Sequence, residues 1–207
     1  MPPARVDDEA PGGIDEEGAV GMTVRVGGGA RRGLDARDVT FSGAAVALLA
    51  VSAWVSVPIG PVPFTLQTMA LAFLLLALSP RQALVSVALY LALGGAGLPL
   101  FAGMRGGVAA LFGPTGGFLV GFALAALAAW AARRALGASP ARDALVCAAM
   151  IACSYGVGWA WLALSTGMSP QAAFAAACAP FIVPDVVKCA AGVALARAVR
   201  QALPAVA

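Results

Sequence analysis

Two ionisable residues stand three positions apart near the end of this chain, in a stretch that is otherwise apolar. Asp185 and Lys188 lie within residues 180–188, Pro-Phe-Ile-Val-Pro-Asp-Val-Val-Lys. On a helix, a spacing of three stacks both side chains on one face. In a lipid setting each such group costs about 2.5–3.5 kcal/mol at the bilayer centre even on insertion-based scales. An acid and an ammonium on one face can together satisfy a small polar ligand that offers both donors and acceptors. They can equally close on each other as a structural salt bridge, with Asp185 capping its own helix end. A third group, Arg105, sits among the glycines of residues 94–117. Alone, it reads equally well as a lipid-headgroup contact.

The chain that must position these groups is a membrane protein by composition. Of its 207 residues 61% are hydrophobic and 11% charged, against about 25% charged in soluble domains. Eight of the ten acids (Asp7, Asp8, Glu9, Asp15, Glu16, Glu17, Asp35 and Asp38) precede residue 40, leaving Asp143 and Asp185 after it. The net charge of +3 therefore reflects a basic-flanked apolar domain and points to anionic lipid and topology, not nucleic acid. The absence of histidine removes His-based metal sites, triads and proton relays. Cys147, Cys153, Cys178 and Cys189 occur singly in apolar runs without a C-x-x-C pair, so they read as buried small hydrophobes. No cofactor is expected. With no G-x-S-x-G and a single acid at membrane depth, an intramembrane enzyme has no evident members, and the chain is expected not to be one. Without a G-x-x-x-x-G-K-[ST] loop it has no P-loop ATPase site.

Two segments are expected: a disordered cytoplasmic tail over residues 1–39, rich in Gly, Asp, Glu and Arg, and an all-α domain of six transmembrane helices over 40–207. The helices are predicted over about residues 41–57, 65–78, 80–93, 118–136, 141–164 and 184–203. Pro58, Pro61 and Pro63 impose an extended connection between the first two. Residues 94–117, with nine glycines, are expected to be the longest non-helical stretch. Starting the last helix at Pro184, a tolerated first-turn proline, leaves 20 residues, about 30 Å and one crossing. Residues 171–179 then form a separate short helix or re-entrant piece. On helix 1, Gly43, Ala47 and Ala50 line one face, which suits close helix packing, within the chain or against a partner.

Six crossings put both termini on one side. With the termini in the cytoplasm, nine basic residues (Arg31, Arg32, Arg37, Arg81, Arg133, Arg134, Arg142, Arg197 and Arg200) fall inside. Only Arg105 and Lys188 fall outside, which meets the positive-inside rule. Arg105, Asp185 and Lys188 then share one level near the outer face and suggest a small-molecule site open to the outside.

Four stretches, in order, resemble the BioY family, the biotin-specific substrate-capture (S) components of energy-coupling factor (ECF) transporters. They are residues 62–68 (Val-Pro-Phe-Thr-Leu-Gln-Thr), 98–103 (Leu-Pro-Leu-Phe-Ala-Gly), 113–122 (Gly-Pro-Thr-Gly-Gly-Phe-Leu-Val-Gly-Phe) and 180–188. The resemblance covers about residues 43–200. It implies a six-helix S-component-like protein of the bacterial inner membrane that binds biotin near the outer face, under structured loops 1–2 and 3–4. It assigns ligand contacts to Asp185 and Lys188, the loop arginine to Arg105, a first-loop position to Gln67, and aromatic walls to Tyr90, Tyr155, Phe101 and Phe112. It matches the Gly43, Ala47 and Ala50 face to the contact with the coupling transmembrane subunit, and it implies separate ATPase subunits as further partners. Two other readings remain: an S component for another small vitamin, and a membrane scaffold whose Asp185–Lys188 pair is only structural.

Overall fold

The computed structural model describes residues 36–202. The tail expected over residues 1–39 lies outside the described residues except for 36–39, which are already helical: α1 runs Ala36–Trp54, starting about five residues earlier than its apolar run. After it the prolines act as expected, and the extended connection also pairs with itself. Strand β1, Ser56–Val57, runs antiparallel to β2, Phe64–Thr65, with Ser56 opposite Thr65 and Val57 opposite Phe64. This small hairpin folds the 58–63 segment back and presents Val62, Pro63 and Thr65 to the cavity described below.

Helix α2, Gln67–Ala77, is buried along most of its length. Three later helices share one start signal, a serine N-cap followed by proline at the first helical position. Ser79 opens α3, Pro80–Gly95, in a capping box with Gln82. Ser139 opens α6, Pro140–Thr166, and Ser169 opens α7, Pro170–Ala177. In each case the hydroxyl accepts a backbone N–H three residues on, from Gln82, Arg142 and Ala172. Between α3 and α6 come α4, Val108–Phe112, and α5, Gly116–Ala135. The glycine-rich stretch therefore contains a helical turn and closes two residues before the expected point. A 3₁₀ turn at Ala179–Phe181 joins α7 to the last helix, α8, Ile182–Ala202. Helix α8 starts two residues ahead of Pro184, which keeps that proline in the first turn, where the missing N–H has no intrahelical partner to lose.

Among the described residues, three helical runs are long and apolar enough to cross a bilayer: Gly116–Ala135, Pro140–Thr166 and Pro170–Ala202. Val39–Trp54 and Gln67–Ala77 are apolar but shorter. At 11 residues α2 is about 16 Å long, short of a ~30 Å hydrocarbon core. Helix length and composition thus identify three crossings among the described residues. The outward surface is apolar, with Leu164, Val183, Val186 and Val187 exposed, as lipid-facing walls require. Helices α5 and α6 share the most extensive interface, and α2 packs chiefly on α8. Cys147, Cys178 and Cys189 are buried and Cys153 half-buried, all as free thiols.

Helix α1 divides its small residues between two sides. Gly43 and Ala47 are exposed and Gly43 has nothing within 4 Å of a built Cβ, whereas Ala50 is buried. The nominal face thus corrects at Ala50. Seven residues make slightly less than two turns, so Ala50 falls at the edge of the arc that carries Val46, Leu49 and Ala53 into the core.

Candidate functional site

The pocket lies where the β1–β2 hairpin, the loop before α4, and helices α5, α6 and α8 converge. The empty space there, open solvent at its mouth included, is about 830 Å³. Its floor is charged. Lys188 Nζ donates to Asp185 Oδ1 at 2.8 Å, and Tyr155 OH donates to Asp185 Oδ2 at 2.8 Å. Both ions are buried, at 5% exposure for Asp185 and 7% for Lys188. The ammonium also stands over the Phe64 ring, 3.6 Å from its centroid, a cation–π contact that partly replaces lost water. The first-turn position of Asp185 in α8 adds the favourable field of a helix N-terminus. The carboxylate accepts two good hydrogen bonds, and the Lys188 amine has donors to spare for a ligand.

Above the floor the walls are apolar and aromatic, formed chiefly by Phe101, Phe118, Phe122, Phe181 and Ile151, with Ser154 and Thr115 as isolated hydroxyls. Arg105 enters from the loop over the mouth. That loop is a tight turn: Phe101 N–H donates to Arg105 O at 2.9 Å, Gly103 and Met104 have φ of 69° and 57°, and Arg105 Nε donates to Ala102 O at 3.2 Å. Gly106 lets it close, because a Cβ there would lie 2.1 Å from Leu98 O. The glycines serve close backbone approach as much as freedom of movement.

Six of the eight predicted ligand residues, Asp185, Lys188, Arg105, Gln67, Tyr155 and Phe101, line the pocket. Tyr90 does not. It is fully buried behind the wall, where its OH accepts from Gln67 Nε2 at 2.8 Å and donates to Leu100 O at 2.9 Å, while its ring meets Phe101 edge-on at 5.4 Å. Tyr90 orients Gln67 and Phe101 instead of offering a surface. Phe112 also lies outside the lining: it is 68% exposed and tilts against Trp161. Sequence reasoning passed over Phe64, Phe118, Phe122 and Phe181, although all four fall within the quoted stretches. The spacing of four between Phe118 and Phe122, one face of a helix, was the available signal.

Tyr155→Phe isolates the third member of the floor. Hydrogen bonds to charged groups contribute about 1.5–3 kcal/mol. The variant is therefore expected to lose about that much stability in thermal unfolding in detergent, and to bind ligand more weakly in equilibrium titration because Asp185 loses one of the two bonds that orient it.

The all-α membrane bundle matches in fold a solved structure described as the S-component for biotin from an ECF-type ABC transporter. The TM-score is 0.72 over 80% of this chain and 91% of that one, at 24% sequence identity. The chain therefore has the fold of an ECF S component. The sequence model of the BioY family matches residues 22–205. The probable biotin transporter BioY of Pyrococcus horikoshii is 39% identical over 163 residues, covering 79% of this chain and 96% of that protein. The biotin transporter BioY of Rhodobacter capsulatus is 33% identical over 181 residues, covering 81% and 95%. The chain belongs to the BioY family.

Proposed function

We propose that this protein captures biotin from outside the cell as the S component of an ECF transporter, with ATP hydrolysis and coupling supplied by partner subunits. The observation that carries this reading is the Asp185–Lys188–Tyr155 floor beneath aromatic walls, in a chain whose relatives are named biotin transporters. The ureido ring of biotin offers two N–H donors and a carbonyl acceptor, which Asp185 and Gln67 on one side and Lys188 on the other complement. Its sulfur ring and aliphatic chain suit Phe101, Phe118 and Phe122. Its carboxylate suits Arg105 at the mouth, through charge-assisted hydrogen bonds.

The proposal includes six membrane helices (α1, α2, α3, α5, α6 and α8) with both termini cytoplasmic in the cell membrane. Chain tracing supports it. Trp54 at the end of α1 bonds Pro99 O beside the mouth, and Arg133 at the end of α5 bonds carbonyls at the end of α2, so successive helices run between two opposite ends. The exposed face of α1 around Gly43 and Ala47 is the proposed contact for the coupling subunit, and Ala50 supports it from within.

Saturable biotin binding to the purified protein is the direct test, followed by uptake in a host lacking its own biotin uptake, with and without partner subunits. No saturable binding sinks the proposal; a panel of other small vitamins then separates a different cargo from a structural ion pair. Within the same titration, Arg105→Gln is expected to weaken biotin at least tenfold, the low end for a charge-assisted bond, and to leave the uncharged biotin amide unaffected. Equal losses for both ligands would remove Arg105 from the carboxylate.

A further inference from the structure

At the end of the bundle away from the pocket, three guanidinium groups converge on one carboxylate. Arg142 Nη2 donates to Asp143 Oδ1 at 3.0 Å, while Arg200 Nη2 and Arg197 Nε donate to Asp143 Oδ2 at 2.9 and 3.3 Å. Arg133 is within electrostatic reach of Arg142, Arg200 and Asp143, and its Nη1 donates to Leu75 O and Leu78 O, closing the end of α2. The cluster lies twelve residues along α8 from Asp185 to Arg197, about 18 Å from the pocket floor.

Among the described residues its charge does not balance: three guanidinium groups bond one acid, and that acid is itself buried with a 4% exposed side chain. Arg142 is more than nine-tenths buried, yet its Nε has no hydrogen-bond partner among the described residues, and neither does the buried Nε of Arg133. A buried guanidinium with an unmet donor is costly unless an acceptor completes it, and Arg197 and Arg200 beside it keep part of their side chains exposed, at 43% and 18%. The cluster also includes the first turn of α6, a 27-residue helix, whose N-terminal field favours an anion. The surroundings say where the anion comes from. Leu127, Leu136, Leu145 and Leu195 are exposed on the neighbouring turns of α5, α6 and α8. The Arg134 guanidinium lies 4.9 Å over the Trp130 ring, a pairing suited to the headgroup level. An anionic head with apolar tails beside it fits this surface better than a free anion.

We propose that Arg142, Arg197 and Arg200, backed by Arg133, form a binding site for the phosphate of an anionic phospholipid headgroup, on the membrane face opposite the pocket. Asp143 gathers the arginines and competes with the lipid for them.

The test uses the full-length protein in mild detergent, titrated with short-chain phosphatidylglycerol, short-chain phosphatidylcholine and inorganic phosphate, and read by native mass spectrometry. Phosphatidylglycerol is expected to bind at least tenfold more tightly than phosphatidylcholine. Arg197→Gln combined with Arg200→Gln, which keeps the Arg142–Asp143 pair, should weaken phosphatidylglycerol by roughly 25-fold, about fivefold per arginine, with biotin titration unchanged. Asp143→Asn should strengthen it by freeing donors. The proposal is overturned if the double variant keeps the full preference for phosphatidylglycerol. It is equally overturned if inorganic phosphate displaces the lipid at matched concentration, since the site would then serve a soluble anion.

Discussion

Asp185→Asn is expected to lose biotin binding by at least 100-fold and to destabilise the protein by about 3–5 kcal/mol, the usual result of stripping one partner from a buried ion pair. The amide keeps the shape of the carboxylate and can still accept from Tyr155. It cannot neutralise Lys188, whose ammonium would remain buried against the Phe64 ring. Loss of binding and loss of stability are therefore confounded in the single variant. The double variant Asp185→Leu with Lys188→Met separates them. Replacing a whole buried ion pair by apolar groups of similar volume is often neutral or stabilising, so thermal unfolding should return to near the wild-type midpoint while biotin still fails to bind. A double variant that binds biotin normally would show that the floor is structural and that recognition lies in the walls.

Gly121→Val is the second large effect expected, and it reaches the pocket through packing. A Cβ on Gly121 of α5 would lie 2.6 Å from Ser154 Cα and 3.0 Å from Cys153 O on α6. Those are backbone atoms that cannot rotate away. The neighbouring contact is just as close, since a Cβ on Gly117 would meet Trp161 Cβ at 2.2 Å. The two helices can yield only by separating. Overpacking of this kind typically costs about 1–3 kcal/mol and occasionally more. Because Phe118 and Phe122 on α5 face Ser154 and Tyr155 on α6 across the cavity, separation also changes its width. The expectation is a fall in thermal stability together with at least a tenfold loss of biotin affinity. Gly43→Ala on the open face of α1, where nothing lies within 4 Å, should change neither. A Gly121→Val protein with wild-type affinity would mean that the α5–α6 spacing does not set the pocket.

The elements were legible where the chain carries unambiguous punctuation. Ser79-Pro80, Ser139-Pro140 and Ser169-Pro170 each start a helix, and three prolines keep residues 58–63 out of one. Pro184 placed Asp185 and Lys188 in the first two turns of α8 to within two residues. The aromatic assignments fared unevenly for a physical reason. In a bundle apolar on every surface, an aromatic residue is equally at home in the core, in a pocket wall or facing lipid, so its type does not disclose its place. Tyr90 went to the core and Phe112 to the outside, while Phe64 came under the ammonium of Lys188. The arginines at the end away from the pocket were countable as topology signals, but the convergence of three of them on Asp143 was not.

By itself, the sequence determined that this is an apolar helical bundle with its few ionisable groups gathered at two levels, and the stretches that carry its BioY character. Burial cost dictates this: so few charges in so apolar a chain must be paired or used. Only the tertiary structure decided which groups meet. Tyr155, thirty residues from Asp185, supplies the second hydrogen bond to the carboxylate, and Arg197 and Arg200 reach back more than fifty residues to Asp143. Helical periodicity sets which residues share a face within one helix, whereas the angle and closeness of two helices depend on how their side chains and glycines interlock. That interlocking is a property of the packed bundle and of no single stretch within it.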